Sequence, residues 1–186
     1  RGDYGNTNIE YPVFDHLPFK SYKRLYLRNS GDDWPYTMIR DGMISSLIRD
    51  QVSNSVQAYR PSVLYLNGEY WGIYNLREKL DSQYFSLHYG TAEADLDHLE
   101  ANYGVIEGDS TDYLALLDQI SSTDIITPDF YSKINGLVDV QNLMDFVIVQ
   151  AYLANSSWGH NREIWRDRGN DSIWRWVLVD MDRGFN

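Results

Sequence analysis

Two oxygen-bearing side chains near the end of the sequence offer its clearest chemistry. The apolar run Trp176-Val177-Leu178-Val179 delivers Asp180 to its carboxyl end, with Asp182 and Arg183 close behind. A carboxylate at the mouth of a buried strand needs a cation, an arginine or backbone donors, because an ionised group taken out of water without a partner is costly. Upstream, Asn155-Ser156-Ser157-Trp158-Gly159-His160-Asn161 forms a polar loop that leads straight into the strands ending at Asp180. Asn161 and Asp180 are oxygen ligands of the kind Mg2+ takes, one or two protein oxygens completed by phosphates and water. A plainer assignment stays open beside this one: Arg183 pairs with Asp180, while Asn155 and Asn161 cap a helix and satisfy loop amides. His160 has no further His or Glu at ligand spacing, so a zinc site is not indicated.

The elements that must hold these groups are readable from periodicity. An apolar, nearly continuous helix is expected from about Val140 to Ala154, capped by Asp139, and its all-round apolar surface predicts a buried central helix. A short hairpin follows: Arg162–Arg166, a turn at Arg168-Gly169-Asn170-Asp171, then Ile173–Val179. Earlier, Ser62–Leu66 and Glu69–Tyr74 flank Asn67-Gly68, whose type I′ turn needs positive φ at both central positions. Tyr22–Arg28 alternates as a strand and Tyr36–Gln51 carries helical spacing. Helices are also expected over Asp112–Ile120 and from Thr127-Pro128-Asp129, where an N-cap, a first-turn proline and an acid agree. Tyr11-Pro12-Val13-Phe14 is an apolar anchor in a turn-rich opening, and 79–105 shows no clear period. The order of elements is α+β.

Composition narrows the partners. A chain of 186 residues with 43% hydrophobic content can bury a core as one domain. A net charge of −11 repels nucleic-acid backbones and anionic membranes, so no nucleic-acid partner is expected. No apolar run approaches the roughly 18 residues that a membrane-spanning helix needs, so no membrane span is expected either. The absence of cysteine removes disulfides, thiolate metal sites and cysteine nucleophiles together. The 15 tyrosines and 6 tryptophans fit broad strand surfaces, with stacking platforms for a sugar as the lesser alternative. The opening at Arg1 without methionine and the stop just past a strand read as a piece of a longer chain.

Four stretches together resemble the CotH (spore coat protein H) kinase-like family. They are Leu27-Arg28-Asn29-Ser30-Gly31, the run from Leu66 to Glu78 (LNGEYWGIYNLRE), Asn155–Asn161 and Asp180-Met181-Asp182-Arg183, in order over nearly the whole chain. The resemblance implies an atypical protein-kinase-like α+β fold. Residues 1–78 would form a partial N-lobe sheet, and 79–186 a helical C-lobe with a short catalytic-loop hairpin, truncated at its end. It implies Mg2+ and ATP as cofactors and phosphoryl transfer to protein Ser/Thr, with coat or surface proteins as partners and an extracytoplasmic or spore-surface location. By position, Asp180 and Asn161 are implied as metal ligands, and Arg28, Arg77 and Glu78 as nucleotide-side residues. A structural pairing of Arg28 with Asp41 or Glu78 stays open.

Two departures from the family pattern stand out. Where the family loop reads Asn-x-Asp-Trp, with the Asp as base, this sequence has Ser157 beside Trp158. A serine hydroxyl does not accept a proton near neutral pH as a carboxylate does. The family's glycine-rich segment and phosphate-binding lysine precede a stretch that here begins at Tyr4-Gly5, and Lys20 and Lys23 lie too far along to replace that lysine. Transfer is therefore expected to be weak or lost, with a non-catalytic surface or spore-coat scaffold as the alternative.

Overall fold

The computed structural model describes residue 5, residues 7–122 and residues 127–185. Arg1, Tyr4 and Asn186 lie outside the described residues. The fold is α+β, with three sheets and five α-helices among the described residues.

The strongest local signal becomes the longest hairpin. Strands β1 (Ile9–Glu10) and β2 (Ser21–Tyr22) form a small antiparallel pair ahead of it. Strand β3 (Leu25–Arg28) then lies antiparallel to β6 (Glu69–Glu78), whose other neighbour is β5 (Tyr59–Leu66). Asn67 at φ 52° and Gly68 at φ 85° make the expected turn between β5 and β6. Pro61 is tolerated because β5 is an edge strand. The expected Tyr22–Arg28 strand is split. Lys23 donates its N–H to Gln83 Oε1 at 2.5 Å and Arg24 reaches Asp81 at 2.9 Å, which carries the backbone off the ladder.

Helix α1 (Arg40–Ile48) starts later than Tyr36. Asp33 accepts hydrogen bonds from the Thr37 hydroxyl at 2.5 Å and from the Arg40 N–H at 2.9 Å, and Met38 sits at φ 63°. That left-handed residue stops helix propagation before residue 40. After β4 (Ser55–Val56) and the hairpin comes α2 (Ser82–Tyr89), capped by Asp81 and closed by Gly90. Next come β7 (Leu96–Leu99), β8 (Val105–Glu107), α3 (Thr111–Ser122) and α4 (Pro128–Asn135). Last are α5 (Val140–Tyr152), β9 (Glu163–Asp167) and β10 (Arg175–Leu178). Thr127 and Asp139 cap α4 and α5 as expected.

A five-stranded sheet in the order β4-β10-β9-β7-β8 organises the second half, with β4 contributed by the first half. One face packs Trp165, Val177 and Val179 against Tyr84 and Phe85 of α2. The other meets α1 and α5 through Ile44, Phe146, Val149 and Leu178, and α3 through Tyr113, Leu116 and Ile164. Val13 and Phe14, the expected anchor, are buried with Tyr22 and Ala58. The expectation of a fully buried α5 is corrected. Phe146 and Val149 face the core, but Met144, Val147, Ile148 and Tyr152 are exposed. The helix docks on β10 by one face, and on the other Tyr152 meets the Phe185 ring edge-on while Met144, Val147 and Ile148 stay exposed.

Candidate functional site

The site is built where β10 ends. Val177 pairs with Glu163 across the β9–β10 ladder, so the residues after Leu178 run beside the loop that precedes β9. The chain then turns sharply at Asp180, whose φ of 50° is left-handed, a conformation that costs a non-glycine residue on the order of 1 kcal/mol. Three contacts hold it there. Asn161 Nδ2 donates to Asp180 Oδ2 at 2.8 Å, Arg28 Nη2 donates to Asp180 Oδ1 at 2.5 Å, and the next N–H, of Met181, donates to Asp41 Oδ1 at 3.0 Å.

Asp41 is the buried hub beneath this turn. It forms a short ion pair with Arg77, accepts a longer contact from Arg28 at 3.4 Å and receives the Met181 N–H. Arg77 is 1% exposed and spends its remaining donors on Ser45 Oγ, Ala58 O and Gln57 O. Asp182 completes the acidic side, accepting the Asp32 N–H at 2.9 Å. Gly31, at φ 53°, makes this approach possible, since a Cβ there would lie 2.6 Å from Asp182 Oδ2.

Burial, then the charges of Asp180 and Asp41, push the Asp182 carboxyl up to about 6. A carboxyl raised in this way binds its proton more tightly when folded. Its stabilisation is present below about pH 4 and lost as pH rises through 6. Asp182→Asn is therefore expected to raise the unfolding temperature at about pH 7.5 and leave it unchanged near pH 4. Thermal unfolding at the two pH values checks this, and an equal shift at both contradicts it.

The turn opens into a cleft of about 740 Å3 whose walls include Tyr26 and Arg28 of β3, Lys79 and Leu80 after β6, His160 to Glu163, and Val179 with Asp180. Of the residues singled out in the sequence, Arg28, Asn161 and Asp180 meet here. Ser157 does not line the cleft: it is buried, and its hydroxyl donates to Asn155 Oδ1 at 3.0 Å. Arg77 lies beneath the cleft, committed to Asp41. Glu78 turns the other way, accepting the Ala58 N–H at 3.0 Å and bonding His88 Nε2 at 2.9 Å. It lines a separate cavity of about 320 Å3 with His16, Tyr84 and Tyr89. The plain pairing of Arg183 with Asp180 is corrected: Arg183 bonds Asp32 at 2.6 Å, and Arg28 takes the Asp180 carboxylate. The pairing of Arg28 with Asp41 is present.

Lys79, Arg162 and Glu163 are cleft residues that sequence reasoning missed. Strand alternation carried the signal for Glu163, which is two residues past Asn161 on β9.

The donor set suits Mg2+ in one form only. Among the described residues, no group of three or more His, Cys, Asp and Glu side chains could hold a metal ion. A bare ion would find one amide and one carboxylate, the latter already neutralised by Arg28. An ion arriving with phosphates needs no more protein oxygens than these. Rotation of the Asn161 amide would present its oxygen beside Asp180 Oδ2, and the excess negative charge felt by Asp182 favours a cation.

Among the described residues, no helix is long and apolar enough to cross a membrane. No curated protein matches the chain. A family model described as CotH kinase protein matches residues 5–186. The chain belongs to the CotH kinase family.

Proposed function

We propose that the chain is a CotH-type kinase domain that binds ATP with Mg2+ in the 740 Å3 cleft and transfers the γ-phosphoryl group weakly to protein Ser/Thr. The observation that carries this reading is the 2.8 Å contact between Asn161 Nδ2 and Asp180 Oδ2, made at the wall of that cleft. Asn161 and Asp180 would hold the metal, which neutralises phosphate charge when bound. Arg28, Lys79 and Arg162 supply the local positive charge that phosphates need on a chain of net charge −11. In this reading Arg77 supports the site by fixing Asp41, which carries the turn at Asp180, and Glu78 stays outside the nucleotide. Residues 1–78 act as a partial N-lobe and 79–186 as a C-lobe. Ser157, buried against Asn155, takes no proton, so transfer is weakened. Coat or surface proteins are the acceptors, in an extracytoplasmic or spore-surface setting.

A second reading, a non-catalytic surface or coat scaffold, draws on the Arg28–Asp180 pair, which satisfies the carboxylate without a cation. Calorimetric titration with Mg-ATP separates the two. Heat that ADP competes away supports the nucleotide site, and no heat with no competition leaves the scaffold.

A further inference from the structure

With Ser157 sequestered, the cleft still holds a carboxylate of a different origin. Glu163 opens β9, two residues beyond Asn161, and lines the same cleft as Asp180. Its side chain is 24% exposed. The Val177–Glu163 register puts it three residues along the ladder from Asp180. That is about 10 Å of strand, and both residues line the one cleft.

The support behind Glu163 is unusual. His98 of β7 is 0% exposed, and its Nε2 lies 2.7 Å from Glu163 Oε2. A carboxylate can only accept, so Nε2 carries the proton and donates it. The imidazole is pinned from the α2 side by Phe85, with ring centroids 5.0 Å apart. Its Nδ1 has no hydrogen-bond partner. A buried polar atom left unpaired costs stability, and here the ring is spent on one contact, the orientation of Glu163. Among the described residues no Lys or Arg forms an ion pair with Glu163, although Lys79 and Arg162 line the same cleft. One carboxylate oxygen is tied to His98 and the other is left for the cleft. Asp180 does not fill this place, because Arg28 takes one of its oxygens and, in the Mg-ATP reading, the metal takes the other.

We infer that Glu163 is the proton acceptor for the residual phosphoryl transfer of this chain, with His98 as its positioning residue. The inference rests on the Mg-ATP reading above. As the acceptor hydroxyl oxygen forms its bond to the γ-phosphorus, its proton passes to the free oxygen of Glu163. The bond from that phosphorus to the β,γ-bridging oxygen breaks, ADP leaves, and Glu163 returns the proton to water.

The test follows γ-labelled Mg-ATP with a degenerate serine/threonine peptide pool and with water as acceptors. Glu163→Gln keeps an oxygen for the His98 N–H, so Mg-ATP affinity and unfolding temperature are expected to match the parent. Its kcat is expected to fall about 100-fold with KM for ATP unchanged, and Glu163→Asp to recover part of the rate. A structural role for Glu163 would move the unfolding temperature instead. Glu163→Gln retaining kcat within about threefold overturns the inference while the nucleotide site stands. So does a parent chain that binds Mg-ATP and transfers to neither acceptor. A parent chain that binds no Mg-ATP fails the underlying reading, and the inference falls with it.

Discussion

Asp41→Ala is expected to remove about 3–5 kcal/mol of stability, the usual loss when one partner of a buried ion pair is deleted. Arg77 is 1% exposed and its ion partner is Asp41. Its other contacts, to Ser45, Ala58 and Gln57, are neutral and cannot balance its charge. The Met181 N–H loses its acceptor in the same step, which loosens the turn at Asp180. Urea unfolding followed by tryptophan fluorescence reads the effect as a lower midpoint at constant slope. A loss below about 1 kcal/mol would mean that solvent reaches Arg77 freely. Asp32→Ala, which deletes the exposed partner of Arg183, is the contrasting control and should leave the midpoint nearly unchanged.

Asp180→Asn should do the opposite: little to the fold, much to the ligand. The amide keeps an oxygen for Arg28 and the same shape at the turn, the Asn161 amide flips so that its oxygen accepts the new N–H, and Arg28 retains Asp41. What disappears is the negative charge that a divalent cation needs. Mg-ATP affinity is expected to fall at least about 100-fold, or some 2.7 kcal/mol, with an unfolding midpoint close to the parent. Calorimetry on both proteins gives the ratio. A change within about threefold would remove Asp180 from the metal's surroundings, whatever the nucleotide does. Mg2+ without nucleotide should bind weakly to the parent chain as well, because Arg28 already occupies one oxygen of Asp180.

How much of this was legible in the sequence depended on whether the signal was local. The Asn67-Gly68 hairpin and the caps at Thr127 and Asp139 are local, and each appears in the structure. Strand β7 was missed because its core positions include Asp97 and His98, both 0% exposed. Their partners, Arg166 and Glu163, sit more than sixty residues away in the chain. A buried strand that carries charges in pairs defeats a pattern built on apolar alternation.

Helix α5 shows the converse. Its apolar surface runs nearly all round, so periodicity could not say which face the sheet would cover, and Ile148 and Tyr152 are left in solvent.

The candidate site divides in the same way. Asn161 and Asp180 could be paired from the sequence because one hairpin joins them. The partner of Asp180 could not: Arg28 lies 152 residues upstream and only the fold delivers it. Arg77 and Glu78 sit next to each other at the end of β6, where side chains alternate between faces. One goes under the cleft to Asp41 and the other to His88 in a different cavity. Being neighbours in a motif did not make them neighbours in space.

The proposed placement of Mg2+ between Asn161 and Asp180 is open to a direct test. Crystals grown with Mn2+ and a non-hydrolysable ATP analogue, measured at the manganese edge, should give an anomalous peak between the side chains of Asn161 and Asp180, with the phosphates completing the shell. A bound nucleotide whose manganese lies away from both residues would contradict the account.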